Sequence, residues 1–134
     1  MIFVSAPNVD RNPAKSLIER LKMKGFEVDH SPRNPSEGSD PRWDGWYDSG
    51  LRSSLDKVEV FVIVIDVAWD SSTWMAEESR QAMDAPGVRP VPHVFFWNPM
   101  SIEVQAASVL GYLREELPKD LDELVERMKA IKNV

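Results

Sequence analysis

Short runs of apolar residues alternate along this chain with segments in which apolar residues recur every three or four positions. The short runs predict β-strands at residues 1–4, 26–29, 58–68 and 90–97. The helical spacing predicts helices at residues 13–24, 41–55, 72–85 and 118–131. A short helix at 101–107 and a fifth strand at 109–113 complete the pattern.

The run at 58–68 contains continuous rather than alternating apolar residues, which indicates a strand buried on both faces of a parallel sheet. Strands that alternate with helices in this way predict an α/β fold, a flavodoxin-like three-layer sandwich with a central parallel sheet of four to five strands. With 134 residues the chain has the size of one domain, and we expect a single domain over residues 1–134.

Proline and glycine positions predict where three of these helices begin or end. Asn12 is expected to cap the first helix, with Pro13 as its first residue and Gly25 just past its end. Pro118 is expected at the start of the last helix.

Composition excludes several classes of function. A net charge of −6 argues against electrostatic binding to nucleic acid or to an anionic membrane. Because the chain has no cysteine, disulfides and thiolate metal sites are excluded, and His30 and His93 lack the spacing of metal ligands. No stretch resembles a signal peptide or is long enough to span a bilayer, so we expect a cytoplasmic protein without a metal site.

In parallel sheets of this kind ligands bind outside the carboxyl ends of the strands. The segments to search are therefore residues 5–10, 31–41, 66–78 and 98–101. The usual glycine-rich phosphate motifs and the GxSxG motif of serine hydrolases do not occur in the sequence. Ser5 and Asn8 could hydrogen-bond a ribose, although capping and turn roles fit them equally.

Glu78 is the leading candidate for a catalytic group. On the helix predicted at 72–85, Met75, Glu78 and Ala82 share one face, whereas Glu77 is rotated away by about 100°. A carboxylate that faces the mouth of a sheet would be partly desolvated and able to act on a substrate. The alternative is that Glu78 only complements the dipole of the first helical turn.

Ser72, Trp74 and Glu78 resemble the S-x-W-x-x-x-E segment of Toll/interleukin-1 receptor (TIR) domains, in which this glutamate is catalytic in the enzymatic members. Residues 2–5 are similar to the opening strand of that family, and Asp10 to the acid that follows it. Residues 33–38 are similar to the loop after its second strand, although Asn34 replaces an acid there. Met75 stands where the family usually has a cysteine.

A second family also resembles this segment. Nucleoside 2-deoxyribosyltransferases carry D-x-x-S-G-T-x-x-E on a similar turn, which Asp70 to Thr73 resembles, and residues 5–7 are similar to their A-G-P opening. Their glutamate lies three residues past the threonine, whereas Glu77 and Glu78 lie four and five residues past Thr73. This spacing favours the TIR resemblance.

Both resemblances imply cleavage of an N-glycosidic bond at a ribose carbon, with one carboxylate, Glu78, that stabilises an oxocarbenium-like state. They imply NAD, or another nucleotide or nucleoside, as the substrate, with no separate cofactor. Trp74 could stack on a base and Arg33 could pair with phosphate. The implied substrate-binding set is Ser5, Asn8, Asp10, Arg33, Asp70, Ser72 and Trp74.

Three hypotheses follow. The first is a TIR-type NAD glycohydrolase that works as a homo-oligomer. The second is a non-enzymatic TIR-type module for protein interactions in signalling. The third is a nucleoside or nucleotide 2-deoxyribosyltransferase or N-glycosidase.

Overall fold

Five parallel strands form one sheet in the computed structural model of the chain, which describes residues 1–6, 8–31, 57–66, 93–103 and 115–131. The strands are β1 (Ile2–Ser5), β2 (Val28–His30), β3 (Val60–Val64), β4 (His93–Trp97) and β5 (Glu115–Glu116), in the order β2-β1-β3-β4-β5. Two helices, α1 (Ala14–Met23) and α2 (Leu121–Ala130), lie within the same residues. The prediction of a flavodoxin-like fold with a parallel sheet is confirmed.

The two faces of the central strands are both buried. On one face Val60, Val62 and Val64 of β3 belong to a core that also contains the apolar stripes of the two helices, Leu17 and Leu21 of α1 and Leu124 and Met128 of α2. On the other face the rings of Phe3 and Phe61 stack with centroids 5.4 Å apart and planes 1° apart, and both residues are 0% exposed. The continuous apolar run therefore belongs to a central strand, as predicted.

Helix α1 begins one residue later than the sequence predicts. Pro13 occupies the N-cap position, and no side chain caps the helix. Asn12 Oδ1 instead accepts a hydrogen bond from the Ser16 hydroxyl at 2.7 Å, so the prediction that Asn12 caps the backbone is wrong. The end is as predicted: Gly25, at φ +89°, and the residue after it donate their N–H groups to carbonyls of the last turn.

Helix α2 begins at Leu121, three residues after Pro118, so the predicted start at Pro118 is wrong. Asp120 is the N-cap, and its carboxylate accepts the Glu123 N–H at 3.1 Å. The first N–H groups of a helix have no carbonyl partner within the helix, and the carboxylate of Asp120 accepts one of them. Proline has no side-chain acceptor and could not do so, which explains why the helix starts after Asp120.

The strands lie close to their predicted positions, but some of their first and last residues differ from the prediction. Strand β2 begins two residues after the predicted start at residue 26. Strand β4 is described from His93, and residues 90–92 of the predicted strand lie outside the described residues. The strand that pairs with β4 on its outer side is Glu115–Glu116, whereas the predicted strand at 109–113 lies outside the described residues. Ser101 has φ 53° and residues 101–103 are not helical, so the described start of the predicted 101–107 helix is wrong.

The helices predicted at 41–55 and 72–85 also lie outside the described residues. Within the part of the chain that the structure describes, neither helix has the length and apolar character needed to cross a bilayer.

Candidate functional site

The strand order fixes where a ligand cleft is expected. From β1 the chain moves outward to β2 and then returns across β1 to β3, so the direction of strand addition reverses between β1 and β3. In open α/β sheets ligands bind at the carboxyl ends of the strands beside such a reversal.

Buried polar residues are concentrated at that edge. Among the described residues, the buried polar or charged side chains are Ser5 at 0% exposure, Ser31 at 3% and Asp66 at 2%. Ser5 is the last residue of β1, Ser31 follows β2 directly, and Asp66 lies two residues after β3. Burial of a polar group is costly unless it is hydrogen-bonded, so this clustering marks the edge as the polar end of the sheet.

Ser31 joins the ends of two strands. Its hydroxyl accepts the Ala6 N–H at 3.0 Å, and its own N–H donates to the Val4 carbonyl at 3.0 Å. These two bonds extend the pairing of β1 with β2 past the last ladder residues. They fix the direction in which the chain leaves β1.

Arg11 and Asp66 form an ion pair across the strand reversal. Arg11 Nη2 lies 3.1 Å from Asp66 Oδ2, and the Asp66 side chain is 1% exposed whereas that of Arg11 is 48% exposed. The backbone of Arg11 is itself held, because its carbonyl accepts the Lys15 N–H at 3.1 Å in the first turn of α1. The pair therefore attaches the loop between β1 and α1 to the end of β3.

The same loop carries two of the predicted substrate-binding residues. Asn8 Oδ1 accepts the Asp10 N–H at 2.9 Å, which closes a turn, and both residues are exposed. Ser5, the third predicted residue in this region, is fully buried at the base of the loop. The remaining predicted residues lie outside the described part of the chain: Arg33, Asp70, Ser72, Trp74 and the catalytic candidate Glu78.

Sequence reasoning missed Arg11 altogether; Ser31 and Asp66 begin two of the segments expected at this edge, but neither was predicted as a site residue. One signal was present, because Asp66 is the first charged residue after the apolar residues 60–65. An acid at the end of a buried strand needs a partner, but the sequence does not reveal that Arg11, 55 positions earlier, supplies it.

A separate cavity of about 440 Å³ opens at the start of the two helices. The indole of Trp97 lies at its wall and donates from Nε1 to the Lys119 carbonyl at 3.2 Å. The cavity is lined by Asn12, Pro13, Ser16, Arg20, Trp97, Lys119, Asp120, Leu121 and Asp122, none of them a predicted site residue. Within the described ranges no group of three or more histidine or acidic side chains could hold a metal ion.

The comparisons with known proteins bear on the fold. No protein-family model matches the chain, and no curated protein matches it. Among solved structures it is similar to the TIR domains of the activated Roq1 resistosome, a complex that directly recognises the pathogen effector XopQ. The match covers 96% of this chain and 70% of that one, with a TM-score of 0.55 and 17% sequence identity. The chain thus has a TIR-like fold.

Proposed function

We propose that this TIR-like domain is a cytoplasmic NAD glycohydrolase that cleaves the bond between nicotinamide and ribose, with Glu78 as its catalytic carboxylate. The observation that supports the proposal is the buried polar edge at the carboxyl ends of β1, β2 and β3 in a TIR-like fold. In the sequence, the segment that contains Ser72, Trp74 and Glu78 comes soon after Asp66, which lies at this edge.

Cleavage of this bond requires one correctly placed carboxylate from the protein and no proton donor. In NAD the nicotinamide ring is cationic, so the C1′–N bond breaks with its electron pair moving to the ring, and neutral nicotinamide leaves without a proton donor. Positive charge then develops on the ribose ring, where a carboxylate stabilises it electrostatically. Water adds at C1′ and releases one proton, which gives ADP-ribose.

The loop after β1 supplies groups suited to the rest of the nucleotide. Asn8 and Asp10 are exposed and held in a closed turn, so their polar side chains are suited to the hydroxyls of a ribose. In this proposal Trp74 stacks on the nicotinamide ring, and Asp70, Ser72 and Arg33 complete the binding set.

Nicotinamide released from NAD by the purified protein, measured by chromatography, tests the proposal. Glu78→Gln should abolish the release, with a fall of about 100-fold or more, because it removes the charge opposite the developing cation. Glu77→Gln is the matched control, since it removes the same charge one position away, and it should retain activity. Activity that survives in Glu78→Gln would refute the catalytic assignment.

Protein concentration is the second variable of the assay, because we propose that the domain works as a homo-oligomer. Specific activity should rise with protein concentration as the oligomer forms. Oligomers without nicotinamide release at any concentration would refute the enzyme and favour a non-enzymatic interaction module. Release of free base from deoxynucleosides but not from NAD would favour a deoxyribosyltransferase.

A further inference from the structure

The guanidinium of Arg11 contacts a buried carboxylate and is also partly exposed to solvent. Asp66, at 1% side-chain exposure, contacts Nη2, while about half of the Arg11 side chain, 48%, remains exposed. A guanidinium has five N–H donors in a planar fork, so one contact with a carboxylate leaves donors directed elsewhere. Because the buried carboxylate and the backbone bond to Lys15 both fix its position, little conformational entropy remains to be lost on binding a ligand.

The surroundings of Arg11 are compatible with an anion. Helix α1 starts three residues further on, has no capping side chain and has no acidic residue in its first turn. Its N-terminus therefore adds a partial positive charge that no carboxylate of that turn offsets. Lys15 in the same turn and Asp10, which precedes Arg11 in the sequence, are both exposed and carry opposite charges.

We propose that Arg11, anchored by Asp66, forms a subsite for the diphosphate group of a nucleotide. The inference rests on the proposed function for the choice of a nucleotide, but diphosphate recognition does not require that any bond be cleaved. In this proposal the fork of Arg11 donates two N–H groups to phosphate oxygens, and Asn8 and Asp10, which precede Arg11 in the same loop, contact the adjoining ribose. This arrangement selects nucleotides over nucleosides.

Calorimetric titration with ADP, and with adenosine as the ligand that lacks the diphosphate, tests the subsite. Arg11→Gln should weaken ADP binding about tenfold or more and leave adenosine binding within about twofold, since only the charge-assisted bonds to phosphate are lost. Arg20→Gln is the matched control: it removes an arginine of α1 that also pairs with an aspartate, Asp122, and it should leave ADP binding unchanged.

Arg11→Lys keeps a positive charge beside Asp66 but lacks the fork, and it serves if the glutamine variant does not fold. It should weaken ADP binding severalfold. Wild-type protein that fails to bind millimolar ADP would overturn the subsite, as would Arg11 variants that bind ADP like the wild type or that lose adenosine equally.

The two proposals fail separately. ADP binding that depends on Arg11 in a protein that releases no nicotinamide would leave the subsite standing and refute the glycohydrolase. Conversely, nicotinamide release with an unchanged KM for NAD in Arg11→Lys would refute the subsite and leave the glycohydrolase standing.

Discussion

Replacement of Arg11 by glutamine should destabilise the protein by about 1–3 kcal/mol, although Arg11 lies on a surface loop. Removal of one partner from a fully buried ion pair costs about 3–5 kcal/mol, because the other charge stays buried without compensation. Asp66 meets that condition with a side chain only 1% exposed, whereas Arg11 is 48% exposed and its charge is screened by water. Asp66 also takes part in a further interaction that does not involve Arg11, so the expected loss is below the full value.

Urea denaturation of four proteins measures this effect: the wild type, Arg11→Gln, Asp66→Asn and the double variant. The free energies of unfolding should show a coupling between the two sites of about 1–2 kcal/mol, since each single change removes the same ion pair. For a domain of this size a loss of 1 kcal/mol lowers Tm by about 3–5 °C, so heating provides an independent measure.

The exposed pair Arg20–Asp122 supplies the control for this experiment. Its side chains are 35% and 79% exposed, so Arg20→Gln should cost less than about 1 kcal/mol. If Arg11→Gln is no more destabilising than Arg20→Gln, or if the two sites show no coupling, then Asp66 does not depend on Arg11. The proposed anchoring of the loop after β1 would be wrong in that case.

Substitutions at three further positions test local features, each by urea and thermal unfolding. Ser31→Ala should cost about 1–3 kcal/mol, because the N–H of Ala6, which is 2% exposed, loses its acceptor; an unchanged stability would show that this bond is not needed. Gly25→Ala should cost about 1 kcal/mol: a Cβ there would meet no atom within 4 Å, so only the strain of φ +89° opposes it, and a neutral result would refute that reasoning. Asp120→Ala should cost about 1 kcal/mol through the lost bond from the Glu123 N–H, and Asp120→Asn should recover most of it, whereas equal losses would contradict a capping role.

The central part of the fold was predictable because burial on both faces leaves a strong mark on the sequence. Strand β3 must be apolar at every position, and the stripes of α1 and α2 must repeat with the helical period. The edge strand β5 leaves no such mark. It consists of two exposed glutamates, whose pairing with Phe95 and Phe96 of β4 is set by the sheet and not by β propensity.

The parts of the site that could be predicted are those formed by residues close together in the sequence. The turn at Asn8 and Asp10 follows directly from residue types at neighbouring positions. The pairing of Arg11 with Asp66 joins positions 55 residues apart, and it depends on the adjacency of β1 and β3. A pattern along the chain shows that a carboxylate ends a buried strand but not which cation reaches it. For the same reason the residue that we propose for diphosphate binding was absent from the set expected from sequence.

The distribution of polar burial has a physical implication for function. At the amino edge of the sheet the amino group of Met1 pairs with Glu59, whose side chain is 45% exposed, so that charge stays in contact with water. At the carboxyl edge Asp66 is fully enclosed, and apolar residues of similar volume in place of such a pair are often neutral or stabilising. Stability alone therefore gives no reason to bury a carboxylate there. A role that does give one is to hold Arg11 rigidly at the strand reversal, because a guanidinium fixed before the ligand arrives binds phosphate at a lower entropic cost than a mobile one.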